Sequence, residues 1–121
     1  VALSKKNFGA TDSYATALRS LASAYAASGQ FIKAERAYLE AISVYYAQNE
    51  AGMNYESTLE ALGHLYRRND QYDRADSAYQ LCKELYEFNK EVGVEYGNLF
   101  YFMALNNYAR GDFQTAIDQL Q

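Results

Sequence analysis

Residues 21–41 read LASAYAASGQFIKAERAYLEA, and the spacing inside this stretch decides the fold. Leu18, Leu21, Ala22 and Tyr25 recur at steps of three and four, which places them on one face of an α-helix. Ser28-Gly29-Gln30 then interrupts the pattern, and Gly29 suits the left-handed residue that closes a helix. A second apolar stripe follows at Phe31, Ala34, Ala37, Tyr38, Ala41, Ile42 and Tyr45. Two amphipathic helices joined by so short a turn fold back on each other as an antiparallel pair.

The plan recurs along the chain. A shift of 41 positions carries Tyr14 onto Tyr55 and Tyr96, Leu18 onto Leu59 and Phe100, and Leu21 onto Leu62 and Met103. The same shift carries Phe31 onto Tyr72 and Phe113, Ala34 onto Ala75 and Ala116, and Tyr38 onto Tyr79 and Leu120. Leu3 falls on Val44 and then on Leu85. In the second unit Asn69-Asp70 makes the turn, and the units are joined by Asn49-Glu50-Ala51-Gly52 and by Asn89-Lys90-Glu91-Val92-Gly93. A period of this length marks supersecondary units that stack to share a core. The expected organisation is a single array over residues 1–121: the end of a preceding repeat helix at 1–9, repeat 1 at 13–53, repeat 2 at 54–94 and a partial repeat 3 at 95–121. Neither end carries a polar capping repeat, which reads as a window from a longer solenoid whose apolar ends are available for self-association.

The pattern of residue sizes has a packing reason. Ala22 and Gly63 stand where the first helix of a pair must come close to the second, and Ala34 and Ala75 face back from the second helix. Ala104 and Ala116 repeat the pairing in the third unit. Large Tyr and Leu side chains fill the flanks. A bulky residue at Ala34 or Ala75 is expected to overpack this seam.

The pattern Leu-Ala-x-x-Tyr-x-x-x-Gly-x-Phe-x-x-Ala-x-x-x-Tyr-x-x-Ala at Leu21 to Ala41 resembles a tetratricopeptide repeat. The copy at Leu62 to Cys82 departs from it at Asp70, in place of the turn glycine, and at Cys82, in place of the last alanine. The third copy, from Met103, has Asn107 where the aromatic is expected and Tyr108 one place late. The common form of that family repeats about every 34 residues. The longer period here resembles the variety found in kinesin light chains and in bacterial multidomain signalling proteins. The resemblance implies an all-α, right-handed superhelix of antiparallel helix pairs, with a concave groove lined by the first helices. It implies a protein-interaction scaffold but no particular partner, because the motif residues are packing residues.

Composition narrows the function classes. The chain has 121 residues, half of them hydrophobic, with no proline and seven glycines, a balance that suits long helices. A net charge of −4 argues against nucleic-acid binding, which needs a basic stripe. The single cysteine, Cys82, excludes an internal disulfide and a multi-cysteine metal site. No apolar run reaches the about 18 residues of a membrane span, and Val1 to Lys6 has no secretory hydrophobic region. Location stays open, with a reducing cytoplasm slightly favoured.

On each first helix the face opposite the packing stripe would line the groove. Unit one contributes Thr16, Arg19, Ser23, Ala26 and Ala27; unit two contributes Ser57, Glu60, His64, Arg67 and Arg68; unit three contributes Asn98, Tyr101, Leu105 and Tyr108. His64, Arg67 and Arg68, with Arg19 one repeat away, form a positive patch on an acidic chain, and arginine forks suit carboxylates. Tyr101, Leu105 and Tyr108 offer aromatic and apolar contact beside it. The expected ligand is a peptide or partner protein with an acidic residue next to a hydrophobic one. The plainer reading makes Arg67 and Arg68 solvated complements to a helix C-terminus.

An enzyme is not expected. His64 and Cys82 are the only residues of their kinds, and the register puts Cys82 in an alanine-type packing slot while His64 faces the groove. Cys82 therefore reads as a buried, inert thiol. The carboxylates Glu35, Glu40, Glu56, Glu60, Asp73, Asp76, Glu84, Glu87, Glu91 and Glu95 read as solvated faces, with no enclosed pair. Phosphate-binding glycine loops, Walker-type lysines and His-x-x-x-His spacing are missing, so no catalytic residue, metal or cofactor is implied. Tyrosines outside the repeat pattern, Tyr46, Tyr101 and Tyr108, are the better interface candidates. The alternative to a groove-binding module is a structural or self-associating spacer without a groove ligand.

Overall fold

The computed structural model describes residues 8–47, 53–91, 93–111 and 113–120. Six helices follow one another: α1 Phe8–Ala27, α2 Phe31–Ala47, α3 Met53–Arg68, α4 Tyr72–Phe88, α5 Val94–Ala109 and α6 Phe113–Leu120. They pack as antiparallel pairs, α1 with α2, α3 with α4 and α5 with α6, and the pairs stack through α2 against α3 and α4 against α5. No strand occurs among the described residues, and none of their helices is long and apolar enough to cross a membrane. The expectations for residues 1–7, for the joint at 49–52, for Val92 and for the side chains of Phe113 and Ala116 lie outside the described residues. Phe8 and Gly9, expected at the end of a preceding helix, instead open α1.

The hairpin turns follow from one hydrogen-bond pattern. Gln30 N donates to Tyr25 O at 2.9 Å and Gly29 N to Ala26 O at 3.1 Å, the paired bonds of a Schellman motif. Gln30 then offers its own carbonyl to Ala34 N at 3.0 Å, so the residue that closes α1 also opens α2. The turn between α3 and α4 is built alike, with Gln71 N on Tyr66 O at 2.9 Å and Ala75 N on Gln71 O at 3.0 Å. α4 ends the same way, with Glu91 N on Tyr86 O at 2.8 Å. The motif needs a left-handed residue, supplied by Gly29 (φ 80°) and Gly111 (φ 92°) but by Asp70 (φ 63°) and Lys90 (φ 60°) at the other two turns.

The seam is where the size pattern places it. Ala22, Ala34 and Ala75 are fully buried. A Cβ built on Gly63 would lie 2.7 Å from the ring of Tyr79, itself fully buried, so only glycine lets that ring seat. Leu21 and Leu62 hold the same motif position but not the same environment: Leu62 is 4% exposed beneath α2, while Leu21 is 45% exposed, with no described helix before α1 to cover it.

The third unit departs at Asn106 and Asn107, both buried. Asn107 fills the aromatic slot and instead donates to Gln119 Oε1 on α6 at 2.5 Å, while accepting from Arg110. Asn106 Nδ2 reaches the Tyr72 carbonyl on α4 at 3.0 Å. Polar bonds here replace the packing that an aromatic provides in the first two units.

Candidate peptide-binding groove

The first helices α1, α3 and α5 carry the expected groove residues, and the notches between them differ. Between α1 and α3 lies a depression of about 270 Å³ lined by Thr16, Arg19, Ser20, Ser23, Tyr38 and Ala61. It continues into one of about 150 Å³ that adds Ala26, His64, Leu65 and Arg68. Tyr38 is on α2, yet its ring passes between the first helices and forms the shared floor. Burial raises the Tyr38 pKa, and the positive charges of Arg19 and Arg68, one on the wall of each depression, act on it in the opposite sense. No carboxylate lines either depression. Among the described residues neither Arg19 nor Arg68 has an ion-pair partner.

The notch between α3 and α5 is filled. Tyr79, the repeat counterpart of Tyr38, places its hydroxyl 2.7 Å from His64 Nδ1 and accepts from Arg67 Nε at 3.4 Å. A guanidinium can only donate, so the tyrosyl proton is free for His64 Nδ1. That arrangement leaves the imidazole proton on Nε2, which faces Glu60 Oε1 at 3.7 Å. Phe102 closes over His64, ring centroids 4.4 Å apart and edge-on. Its repeat counterpart is Ala61, the small residue that leaves the first notch open.

The expected positive patch therefore divides. Arg19 and Arg68 line the first notch, Arg67 and Glu60 are engaged around Tyr79 in the second, and His64 borders the first while bonded to Tyr79 in the second. Ser23 and Ala26 line the first notch, and Ser57 is half-buried. Tyr101 and Tyr108 are 53% and 64% exposed, Asn98 is exposed, and Leu105 is half-buried between them. Six contributors escaped the sequence reading: Ser20, Tyr38, Ala61, Leu65, Tyr79 and Phe102. The two tyrosines hold motif packing positions, and the paired slot of Ala61 and Phe102 was the available signal.

The carboxylates are not all solvated. Glu56 is fully buried, in the slot that Ala15 fills in the first unit. Burial pushes its pKa up to about 7, against an opposing hydrogen bond from Asn89 Nδ2 (3.2 Å to Oε2) and with a further rise from the adjacent Glu91. Glu56 Oε1 and Glu91 Oε2 are buried without a hydrogen-bond partner among the described residues, so the protonated form of Glu56 is the one that this enclosure favours. The expectation of no enclosed pair is thus corrected: two helices and a turn close around these groups. Cys82 sits beside them, fully buried, its thiol donating to the Glu56 carbonyl at 3.4 Å. Burial pushes the Cys82 thiol up to about 12.

No protein-family model matches the sequence, and a search of curated proteins finds no relative. Among solved structures the chain is similar to BtubC (BKLC) from P. vanneervenii, with a TM-score of 0.82 at 24% identity. The likeness covers 93% of this chain and 47% of that one, so the chain spans about half the length of its structural neighbour. At that identity the comparison shows the fold alone, a tetratricopeptide-like helical repeat.

Proposed function

We propose that the chain is a protein-interaction module, part of a larger protein, that holds an extended peptide or partner segment along α1, α3 and α5. The observation that carries this reading is the division of labour among side chains. Packing consumes the motif residues, while Arg19, Ser23, Arg68, Tyr101 and Tyr108 lie on one run of repeat-related positions that packing leaves accessible. Cationic and aromatic groups on a preformed helical face suit recognition of an acidic, partly apolar segment. We also infer that the chain is not an enzyme: its one thiol is buried and held protonated, and its one histidine is bound to Tyr79 and covered by Phe102.

The test is site-specific photo-crosslinking in native extract, with the crosslinking residue at Ser23 in the groove or at Ser43 on the exposed side of α2. Adducts from Ser23 and none from Ser43 are expected. Adducts from Ser43 alone, or from neither, would contradict the reading.

A further inference from the structure

The two inter-helix notches are built on the same repeat positions, which makes their difference informative. In the notch between α3 and α5 the tyrosyl hydroxyl has protein partners and a phenylalanine fills the space. In the notch between α1 and α3 the equivalent hydroxyl, on Tyr38, makes no hydrogen bond among the described residues, and Ala61 leaves the space empty. Ser23 and Ala26 stand in place of His64 and Arg67, so α1 gives the Tyr38 hydroxyl no hydrogen bond of the kind that His64 and Arg67 give Tyr79. Tyr38 lines both adjoining depressions, and a guanidinium borders each of them, Arg19 from α1 and Arg68 from α3.

We propose that this notch is a subsite for one carboxylate side chain of the groove-bound peptide, gripped between Arg19 and Arg68 with Tyr38 donating from the floor. The inference rests on the groove reading above and adds a register to it. Three features favour an aspartate or glutamate as the occupant. The lining has two cations and no anion, on a chain whose net charge is −4. The donors come from three helices around two adjoining depressions that share Ser23, Tyr38 and Ala61, and guanidiniums and hydroxyls are the donors that charge-assisted hydrogen bonds to a carboxylate use. The two depressions, about 270 and 150 Å³, fall below the about 300–1,000 Å³ of sites that enclose a small molecule and are large enough to admit a side chain from a peptide laid across the top. Because Phe102 closes the neighbouring notch, the acidic preference is confined to a single position of the peptide.

The experiment is selection of a random-peptide display library on the unmodified chain, on Arg68→Gln and on Ala61→Phe, followed by anisotropy titration of one selected peptide and its Glu→Gln or Asp→Asn form. Arg68 is exposed, so Arg68→Gln is expected to keep the fold; Ala61→Phe closes the notch as Phe102 closes its neighbour. The unmodified chain should enrich peptides with an acidic residue at one fixed place. Neutralising that residue should weaken binding roughly ten- to hundredfold on the unmodified chain and little on Arg68→Gln. Enriched peptides without an acidic preference would overturn the subsite and leave the groove standing. An acidic preference that survives in both variants would place the subsite elsewhere. No enrichment on the unmodified chain would overturn the groove reading itself.

Discussion

Gly63 is the residue with least room to change. Its missing side chain is what admits the buried Tyr79 ring, so Gly63→Ala should overpack the pair and lower unfolding free energy by about 1–3 kcal/mol in urea melts. An unchanged midpoint would mean the ring has an alternative seat. Cys82 is the opposite case, a reactive group made inert. Buried, protonated and donating to a backbone carbonyl, it should stay unlabelled by a thiol probe in the native chain and react once urea unfolds it. Glu56 carries a pH dependence. Its folded pKa of about 7 lies above the roughly 4.3 of a free glutamate, so the native chain binds that proton more tightly than the unfolded one. The resulting stability is fully present below about pH 4.3 and is lost as pH rises through about 7. Melting temperatures of the unmodified chain and of Glu56→Gln should diverge across that window, the variant being the more stable at pH 8; parallel curves would contradict the assignment. At this scale Cys82 was legible because its alanine slot showed in the repeat. Glu56 also sits in a small-residue slot, but a glutamate on a helix reads as solvated unless the partners that enclose it are known, and those come from the turn at Asn89 and Glu91, 33 or more positions away.

At the scale of elements, the turns decide how sharply each helix ends. The Schellman motif that closes α4 holds Lys90 at φ 60°, a conformation that costs an L-residue roughly 1–2 kcal/mol. Glycine there relieves the strain at the expense of a freer unfolded chain, so Lys90→Gly should be stabilising by about 0.5–1 kcal/mol. A loss of stability would show that the lysine side chain contributes something the turn geometry does not reveal. Helices and turns were the most legible part of the sequence, since the three- and four-residue steps and the Gly29 and Asn69-Asp70 breaks mark them directly. Burial within a helix was less legible. Leu21 and Leu62 share a motif position and differ tenfold in exposure, because burial depends on the neighbouring helix and not on the helix that carries the residue. The division of the arginine patch has the same origin. Arg67 and Arg68 are adjacent in sequence, but Arg67 bonds to Tyr79 while Arg68 lines the depression floored by Tyr38, tyrosines contributed by the second helices of successive pairs.

For the whole molecule, repetition supplies a scaffold and the departures from repetition supply its character. Each helix packs mainly against the helix before and after it, so stability accumulates through nearest-neighbour contacts and a continuous face of first helices is left over. That face is uniform in backbone and uneven in side chains: an open cationic notch, then an aromatic-filled one, then the exposed tyrosines of α5. On the proposed function this face, and not the outer helices or the end of the array, is where a partner is held. The most direct measurement is a map of amide chemical shifts in the ¹⁵N-labelled chain as a display-selected peptide is added. The account predicts that the largest changes fall on α1, α3 and α5, centred on Arg19, Ser23 and Arg68. Changes gathered on the exposed sides of α2 and α4, or on α6, would contradict it.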